Sequence, residues 1–197
     1  MRGCTLTAML LAGGQSCRMG MDKATIRLAG EPLWQRQLEI LEHLSPSAVW
    51  ISAKVAMPWF PPGIQVVFDA VNSRGPLGGI AAGLRRVKTS HLLTLAIDLP
   101  KMTTMHLSML WAMARPGIGV IPRQDDYLEP LCAIYPAEAS PLADKMLEAV
   151  DISVQHFGQQ LQKRGQAIIY PLEPAEKPLY LNMNTPSEVP EFQRAGV

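Results

Sequence analysis

The chain predicts an α/β fold: a mainly parallel sheet flanked by helices in a three-layer αβα arrangement. Three observations carry this. Apolar runs of strand length alternate with amphipathic segments of helix length, the pattern of βα units rather than of an all-β or all-α domain. The run Leu92 to Ile97 is apolar almost without a break, as a central parallel strand covered on both faces must be. The first apolar run, Leu6 to Leu11, breaks directly into a glycine-bearing loop containing Gly13, Gly14 and Gly20. Open α/β sheets bind ligands at that place, outside the carboxyl ends of their strands.

The elements follow in order. Leu6 to Leu11 is the first strand. Pro32 to Leu44 is a helix: Pro32 suits its first turn, and Trp34, Leu38 and Leu41 share a face at helical spacing. Val49 to Ser52 is the second strand. Met57 to Gly63 is a proline-rich loop, and Gln65 to Phe68 a short third strand. Leu77 to Val87 is a helix with Gly78 and Gly79 near its start, Leu92 to Ile97 a strand, and Met105 to Ala114 a helix. Further strands fall around Val120, Leu131 to Tyr135, Ile168 and Tyr180, with helices over Ala137 to Val150 and Val154 to Arg164. No repeat, low-complexity tract or linker divides the chain, so residues 1–197 read as one domain.

Composition narrows the function. With 48% hydrophobic and 18% charged residues, the chain can bury a substantial core. A net charge of +1 shows no basic excess, which argues against a nucleic-acid partner and for small molecules and protein. Cys4, Cys17 and Cys132 are odd in number and form no C-x-x-C, which favours a reducing cytoplasm over a disulfide framework or zinc site. Residues 2–13 superficially mimic a secretion signal, but the apolar stretch is brief and runs into the glycine loop, so it reads as a core strand. No segment is long and apolar enough to span a bilayer. The four histidines show no ligand-like spacing and read as structural or surface residues.

The chemistry concentrates in residues 10–23. Paired glycines let backbone N–H groups approach an anion. Arg18 adds a fork of donors and Lys23 a point charge, both suited to phosphate. Gly, Gly, Arg, Gly and Lys in one short loop describe a polyphosphate site, most simply one for a nucleoside triphosphate. It is not the usual P-loop, because Ala24 and not a hydroxyl residue follows Lys23. Nor is it the dinucleotide fingerprint, whose glycine spacing differs. Ser52, Asp69 and Asp98 also follow predicted strands and so gather at the same edge. Asp98 precedes Leu99-Pro100; its carboxylate could hold Mg²⁺, which takes one or two protein carboxylates and completes its shell with water and phosphate oxygens, or serve as a helix cap or turn residue. Gly75 to Gly79 could allow backbone approach to a base or close helix–sheet packing.

These residues carry a resemblance. Leu11-Ala12-Gly13-Gly14…Arg18-Met19-Gly20…Asp22-Lys23 resembles the signature loop of nucleotidyltransferases, and most closely that of the molybdenum cofactor guanylyltransferase family. Gly30-Glu31-Pro32-Leu33, Asp69 with Gly75-Pro76-Leu77-Gly78-Gly79, Asp98-Leu99-Pro100 and Asn182-Met183-Asn184-Thr185-Pro186 resemble further family segments in the same order. The resemblance implies a Rossmann-like fold of the nucleotide-diphospho-sugar transferase type. It implies transfer of GMP from GTP to the terminal phosphate of molybdenum-bearing molybdopterin, with Mg²⁺ held by Asp98 and pyrophosphate released. It places the nucleotide against Leu11, Ala12, Gly13, Gly14, Lys23, Ser52, Asp69, Gly75, Gly78 and Asp98. It makes Arg18, Lys23 and Asp98 catalytic, and sets Asn182 and Asn184 toward the acceptor, although Asn184-Thr185-Pro186 could equally cap a helix. Contacts with a molybdoenzyme or maturation factor are implied too. The chain departs from the family pattern at Ser52, where Asn is common, and at Arg74 and Lys101. CTP or a sugar or polyol phosphate as substrate, and a non-catalytic nucleotide-binding role, stay open at this point.

Overall fold

The computed structural model describes residues 3–13, 22–69, 75–148, 153–183 and 188. Among them the strands are β1 (Leu6–Leu11), β2 (Arg27–Leu28), β3 (Glu31–Pro32), β4 (Ala48–Ala53), β5 (Gln65–Phe68), β6 (His91–Ala96), β7 (Gly119–Gln124), β8 (Tyr127–Leu128), β9 (Ala133–Pro136) and β10 (Ala167–Pro171). The α-helices are α1 (Leu33–Glu42), α2 (Leu77–Arg86), α3 (Thr104–Met113), α4 (Ser140–Leu147) and α5 (Val154–Lys163).

The main sheet runs β10-β7-β9-β6-β1-β4-β5, with β8 paired to β7. Ladders β6–β1, β1–β4, β4–β5 and β7–β10 are parallel. β9 is the reversed strand, antiparallel to both β6 and β7. The reversal follows from the connection: only Asp125 and Asp126 separate β7 from β8, a tight turn that forces an antiparallel pair, and β9 runs on in the same direction as β8. The sheet is therefore mainly parallel but mixed, and the carboxyl ends of β1, β4, β5, β6 and β7 share one edge with the start of β9.

Helices cover both faces. On one, Ala8, Leu10, Ile51, Leu93, Leu95 and Val120 pack with Leu33, Leu38 and Leu41 of α1 and Leu107 and Leu110 of α3. On the other, Met9, Trp50, Val67, Leu92, Ile121 and Tyr135 pack with Leu77 and Ile80 of α2, Leu142 and Met146 of α4, and Phe157 and Leu161 of α5. Every residue of β6 is buried, which is why its sequence does not alternate. Each fully buried Leu contributes about 1.5 to 3 kcal/mol relative to exposure, so this double-covered centre rigidly positions the residues that leave β6 at its carboxyl end.

Several elements differ from the sequence expectation. The strand expected at Tyr180 is a 3₁₀ turn, Lys177–Tyr180; Pro178 has no N–H to give a ladder, and the Tyr180 hydroxyl is 2.8 Å from His106 Nε2 instead. Pro32 precedes α1 at the N-cap and pairs with Arg27 in a short hairpin that the sequence reading passed over. That hairpin turns through Ala29 and Gly30, both at positive φ, the backbone of a tight two-residue turn. β8 was likewise not anticipated; its turn uses Asp125 at φ 52°, a conformation that Asp tolerates better than most residues. The helix expected from Ala137 opens as a 3₁₀ turn and becomes α-helical only at Ser140, with Pro141 in its first turn.

Candidate functional site

The sheet edge assembles from several strand ends. At the end of β1, the Ala12 N–H donates to the Ser52 carbonyl at 2.9 Å, and the Leu11 carbonyl accepts from Ile97 N–H at 3.2 Å. Leu11, Ala12 and Gly13 thus lie between the ends of β4 and β6. A Cβ added to Gly13 would sit 3.6 Å from both Ala53 Cα and Asp69 Oδ2, an ordinary contact, so packing alone does not demand glycine there.

Ser52 and Asp69 meet beside it. The Ser52 hydroxyl donates to Asp69 Oδ1 at 2.9 Å, and the Asp69 N–H donates to the Ala53 carbonyl at 3.1 Å. The first turn of α2 presses on this pair: a Cβ on Gly79 would lie 2.6 Å from Ser52 Oγ and 3.1 Å from Asp69 Oδ1. At Gly79 the close-packing role of the Gly75 to Gly79 segment is therefore the geometry observed. Gly75 has φ 71° and is exposed, while Gly78 is buried and donates to the Gly75 carbonyl at 3.3 Å.

At the end of β6, Lys23 Nζ lies 3.4 Å from Asp98 Oδ2, their side chains 21% and 25% exposed. Sequence spacing gave these two residues separate tasks; the fold brings them together across 75 positions. Asp98 does not cap α3: Thr103 does, accepting from the His106 N–H at 3.2 Å. The Asp98 backbone carbonyl instead accepts from Met183 N–H at 2.8 Å, which ties the segment carrying Asn182 to the site. The next two carbonyls are held from α1, Leu99 O by Gln37 Nε2 at 2.7 Å and Pro100 O by Arg36 Nε at 3.2 Å. Among the described residues no group of three His, Cys, Asp or Glu side chains could hold a metal ion. A single partly exposed carboxylate at a strand end fits Mg²⁺, which draws most of its shell from water and phosphate.

Sequence reasoning missed Asp22. Its Oδ1 accepts from Ala24 N–H at 3.0 Å and caps the 3₁₀ turn Lys23–Thr25. Its Oδ2 accepts from the indole N–H of Trp59 at 2.6 Å. Trp59 in turn stacks on Trp34 at 5.8 Å and meets Phe60 edge-on at 4.7 Å. An aromatic cluster thus anchors the turn that aims Lys23. The signal was an Asp directly before the Lys, a capping position.

On the other side of Asp98 lies a cavity of about 150 Å³ lined by residues that include Ala96, Leu99, Leu131, Glu129 and Asn182. Asn182 therefore lines a compartment separate from the Gly13–Ser52–Asp69 face. Glu129 was not foreseen: burial pushes its carboxyl up to about 7, because desolvation disfavours the charged form. Nearby, Cys132 is fully buried and its thiol is pushed up to about 12, an inert core group. His106 is buried against Tyr180, and desolvation lowers its pKa; His91 contacts the carbonyls of Arg115 and Ile118. Both are structural, as the sequence suggested. Gly14, Cys17, Arg18, Arg74 and Asn184 lie outside the described residues.

Comparison with known proteins identifies relatives of the whole chain. The family described as the MobA-like NTP transferase domain matches residues 8–167. A probable molybdenum cofactor guanylyltransferase of Opitutus terrae is 32% identical over 186 residues, covering 93% of this chain and 92% of the relative. Molybdopterin-guanine dinucleotide biosynthesis protein A from Archaeoglobus fulgidus superposes with a TM-score of 0.71 at 23% identity, over 96% and 97% of the two chains. The 4-diphosphocytidyl-2C-methyl-D-erythritol synthase of Anaerococcus prevotii does so with a TM-score of 0.71 at 11% identity, over 98% and 96%. The last two share the fold.

Proposed function

The chain belongs to the MobA-like NTP transferase family, and from that premise we propose that it transfers GMP from GTP to the terminal phosphate of molybdenum-loaded molybdopterin, residues 1–197 acting as one nucleotidyltransferase domain. The observation that carries the reading is the Lys23–Asp98 pair at the end of β6. A Gly13–Ser52–Asp69 face lies on one side of it and the cavity bearing Asn182 on the other. A reaction between two phosphates needs its charge-handling groups between two compartments.

An acceptor phosphate oxygen attacks the α-phosphorus of GTP in line. The new P–O bond forms as the α–β bridge breaks, and pyrophosphate leaves with the electron pair. The attacking phosphate is already ionised at neutral pH, so the chain supplies no general base. Its work is positioning and charge neutralisation. Lys23 exchanges its contact with Asp98 for phosphate oxygens; Arg18, from the loop pattern, adds a second cation. Asp98 is the residue that would hold Mg²⁺, and the bound ion would supply further neutralisation of the α-phosphate. Ser52 acts through Asp69: its hydroxyl donates to that carboxylate, which faces the ribose or base in this reading. A cytoplasmic setting suits such an enzyme, and among the described residues no helix is long and apolar enough to cross a membrane.

Thermal stabilisation by GTP, CTP, ATP and UTP, each with and without Mg²⁺, tests the reading. Ligand at about 100 times its Kd adds roughly 2.7 kcal/mol, which raises Tm by about 5 to 10 °C for a chain of this size. A Mg²⁺-dependent shift with GTP, lost in Lys23→Ala and Asp98→Ala, is expected. A shift with CTP alone overturns the choice of base, and none with any nucleotide overturns the reading.

A further inference from the structure

The residues that line the cavity beside Asp98 include three polar ones, Glu129, Gln155 and Asn182, among Ala96, Leu99, Leu131 and other apolar residues. Gln155 is already occupied. Its Oε1 accepts from the Leu128 N–H at 3.0 Å and its Nε2 donates to the Leu128 carbonyl at 2.7 Å. That clamp holds β8 in place, and Glu129 is the next residue. The Glu129 backbone is pinned as well: its N–H donates to Pro122 O at 2.7 Å and its carbonyl accepts from Cys132 N–H at 3.2 Å. Among the described residues no hydrogen bond or salt bridge reaches the Glu129 carboxyl, whose pKa burial alone raises. A rigidly mounted, partly desolvated carboxyl without a partner among the described residues is suited to a ligand donor.

The shape and chemistry narrow the ligand. About 150 Å³ is the size of cavity that takes one six-membered aromatic ring, and the leucines supply apolar faces for it. A carboxylate offers two acceptors side by side. Its planar complement is a ring edge with two adjacent N–H donors, as in a 2-amino-4-oxopyrimidine. We propose that this cavity seats that edge of the acceptor's pterin, with Glu129 accepting from the 2-amino group and the neighbouring ring N–H. This rests on the guanylyltransferase reading for the presence of a pterin acceptor. Guanine carries the same edge, but the cavity lies across Asp98 from the Gly13–Ser52–Asp69 face, at the end of the sheet that holds β9 and β7. Asn182 on the same wall, its neighbour Met183 bonded to Asp98, links the ring's seat to the reacting phosphates.

The test uses the full chain and two fluorescent probes, pterin and lumazine. Lumazine is the same bicycle with a carbonyl replacing the 2-amino group. Fluorescence anisotropy should show saturable pterin binding at least about 10-fold tighter than lumazine, the scale of one lost charge-assisted bond. Glu129→Gln, nearly isosteric, should weaken pterin about 10-fold and abolish the discrimination, while leaving the Tm shift from GTP unchanged. Equal binding of the two probes by the unaltered protein overturns the proposal, and so does undetectable pterin binding; neither comparison needs a variant that folds. Pterin affinity unchanged in Glu129→Gln overturns it too. Loss of the GTP shift in Glu129→Gln with pterin binding intact would give the cavity to guanine instead. Failure of the guanylyltransferase reading shows separately: an unaltered protein that discriminates the probes but never responds to GTP keeps the cavity assignment and refutes the reaction.

Discussion

Placing an alanine at Gly79 examines the nucleotide side of the site through its tightest contact. The added methyl would lie 2.6 Å from Ser52 Oγ, closer than real Cβ contacts come, so the hydroxyl has to rotate away and its 2.9 Å bond to Asp69 breaks. A hydrogen bond to a charged group contributes about 1.5 to 3 kcal/mol. Replacing glycine in a helix returns up to about 1 kcal/mol. The net expected loss is about 1 to 2 kcal/mol, a Tm lower by roughly 2 to 8 °C. In a Ser52→Ala background both the bond and the nearest obstacle are already gone, and the same Gly79→Ala change should be neutral or slightly stabilising. Urea unfolding of the four proteins of this cycle should therefore give a coupling of about 1.5 to 3 kcal/mol. If Gly79→Ala stabilises the unaltered protein, or has the same effect in both backgrounds, α2 does not hold the Ser52–Asp69 pair as described. The Tm shift from GTP, measured on the same samples, should shrink with the loss of the pair if Asp69 receives the nucleotide.

Lys23→Ala should lower kcat by about 10²-fold or more if its charge acts in the transition state, read as pyrophosphate release at saturating GTP. Trp59→Phe keeps the stacking but frees Asp22 Oδ2; stability should fall by about 1 to 2 kcal/mol, and kcat should fall while the GTP shift remains, since the turn that aims Lys23 loosens. Burial moves the Glu129 carboxyl from an ordinary 4.5 to about 7. Between those values the folded chain keeps a proton that the unfolded chain has released, so stability falls as pH rises through that window. Allowing for the group's partial exposure, the loss is about 1 to 2 kcal/mol, and urea titrations at several pH values should show Glu129→Gln removing that part of the slope.

The layout was legible because the signals were local and repeated. β1 and β5 lie within the expected bounds, and β6 is within one residue of its own, since double burial leaves an unmistakable apolar run. Asp69 and Asp98 follow strand ends and so could be grouped from sequence. What escaped depends on contacts between distant positions. Trp59 reads as part of a proline-rich loop until the fold sets it on Asp22, 37 residues away. Glu129 belongs to no motif in the sequence; the fold alone sets it beside Ala96 and Leu99 at the end of β6. Tyr180 has strand-like neighbours, yet a hydrogen bond to His106, 74 positions earlier, decides its place. The resemblance sets Gly78 and not Gly79 against the nucleotide; only the approach of α2 to Ser52 singles out Gly79.

The central claim is that the Lys23–Asp98 pair serves GMP transfer to a pterin phosphate. Its most direct test is pyrophosphate release from GTP and, in parallel, from CTP, each with molybdenum-loaded molybdopterin and Mg²⁺. Acceptor-dependent release from GTP, with formation of the guanine dinucleotide and at least about 10²-fold loss in Asp98→Ala and Lys23→Ala, is the result expected. Release that ignores the acceptor, that proceeds only with CTP, or that survives both substitutions would contradict it.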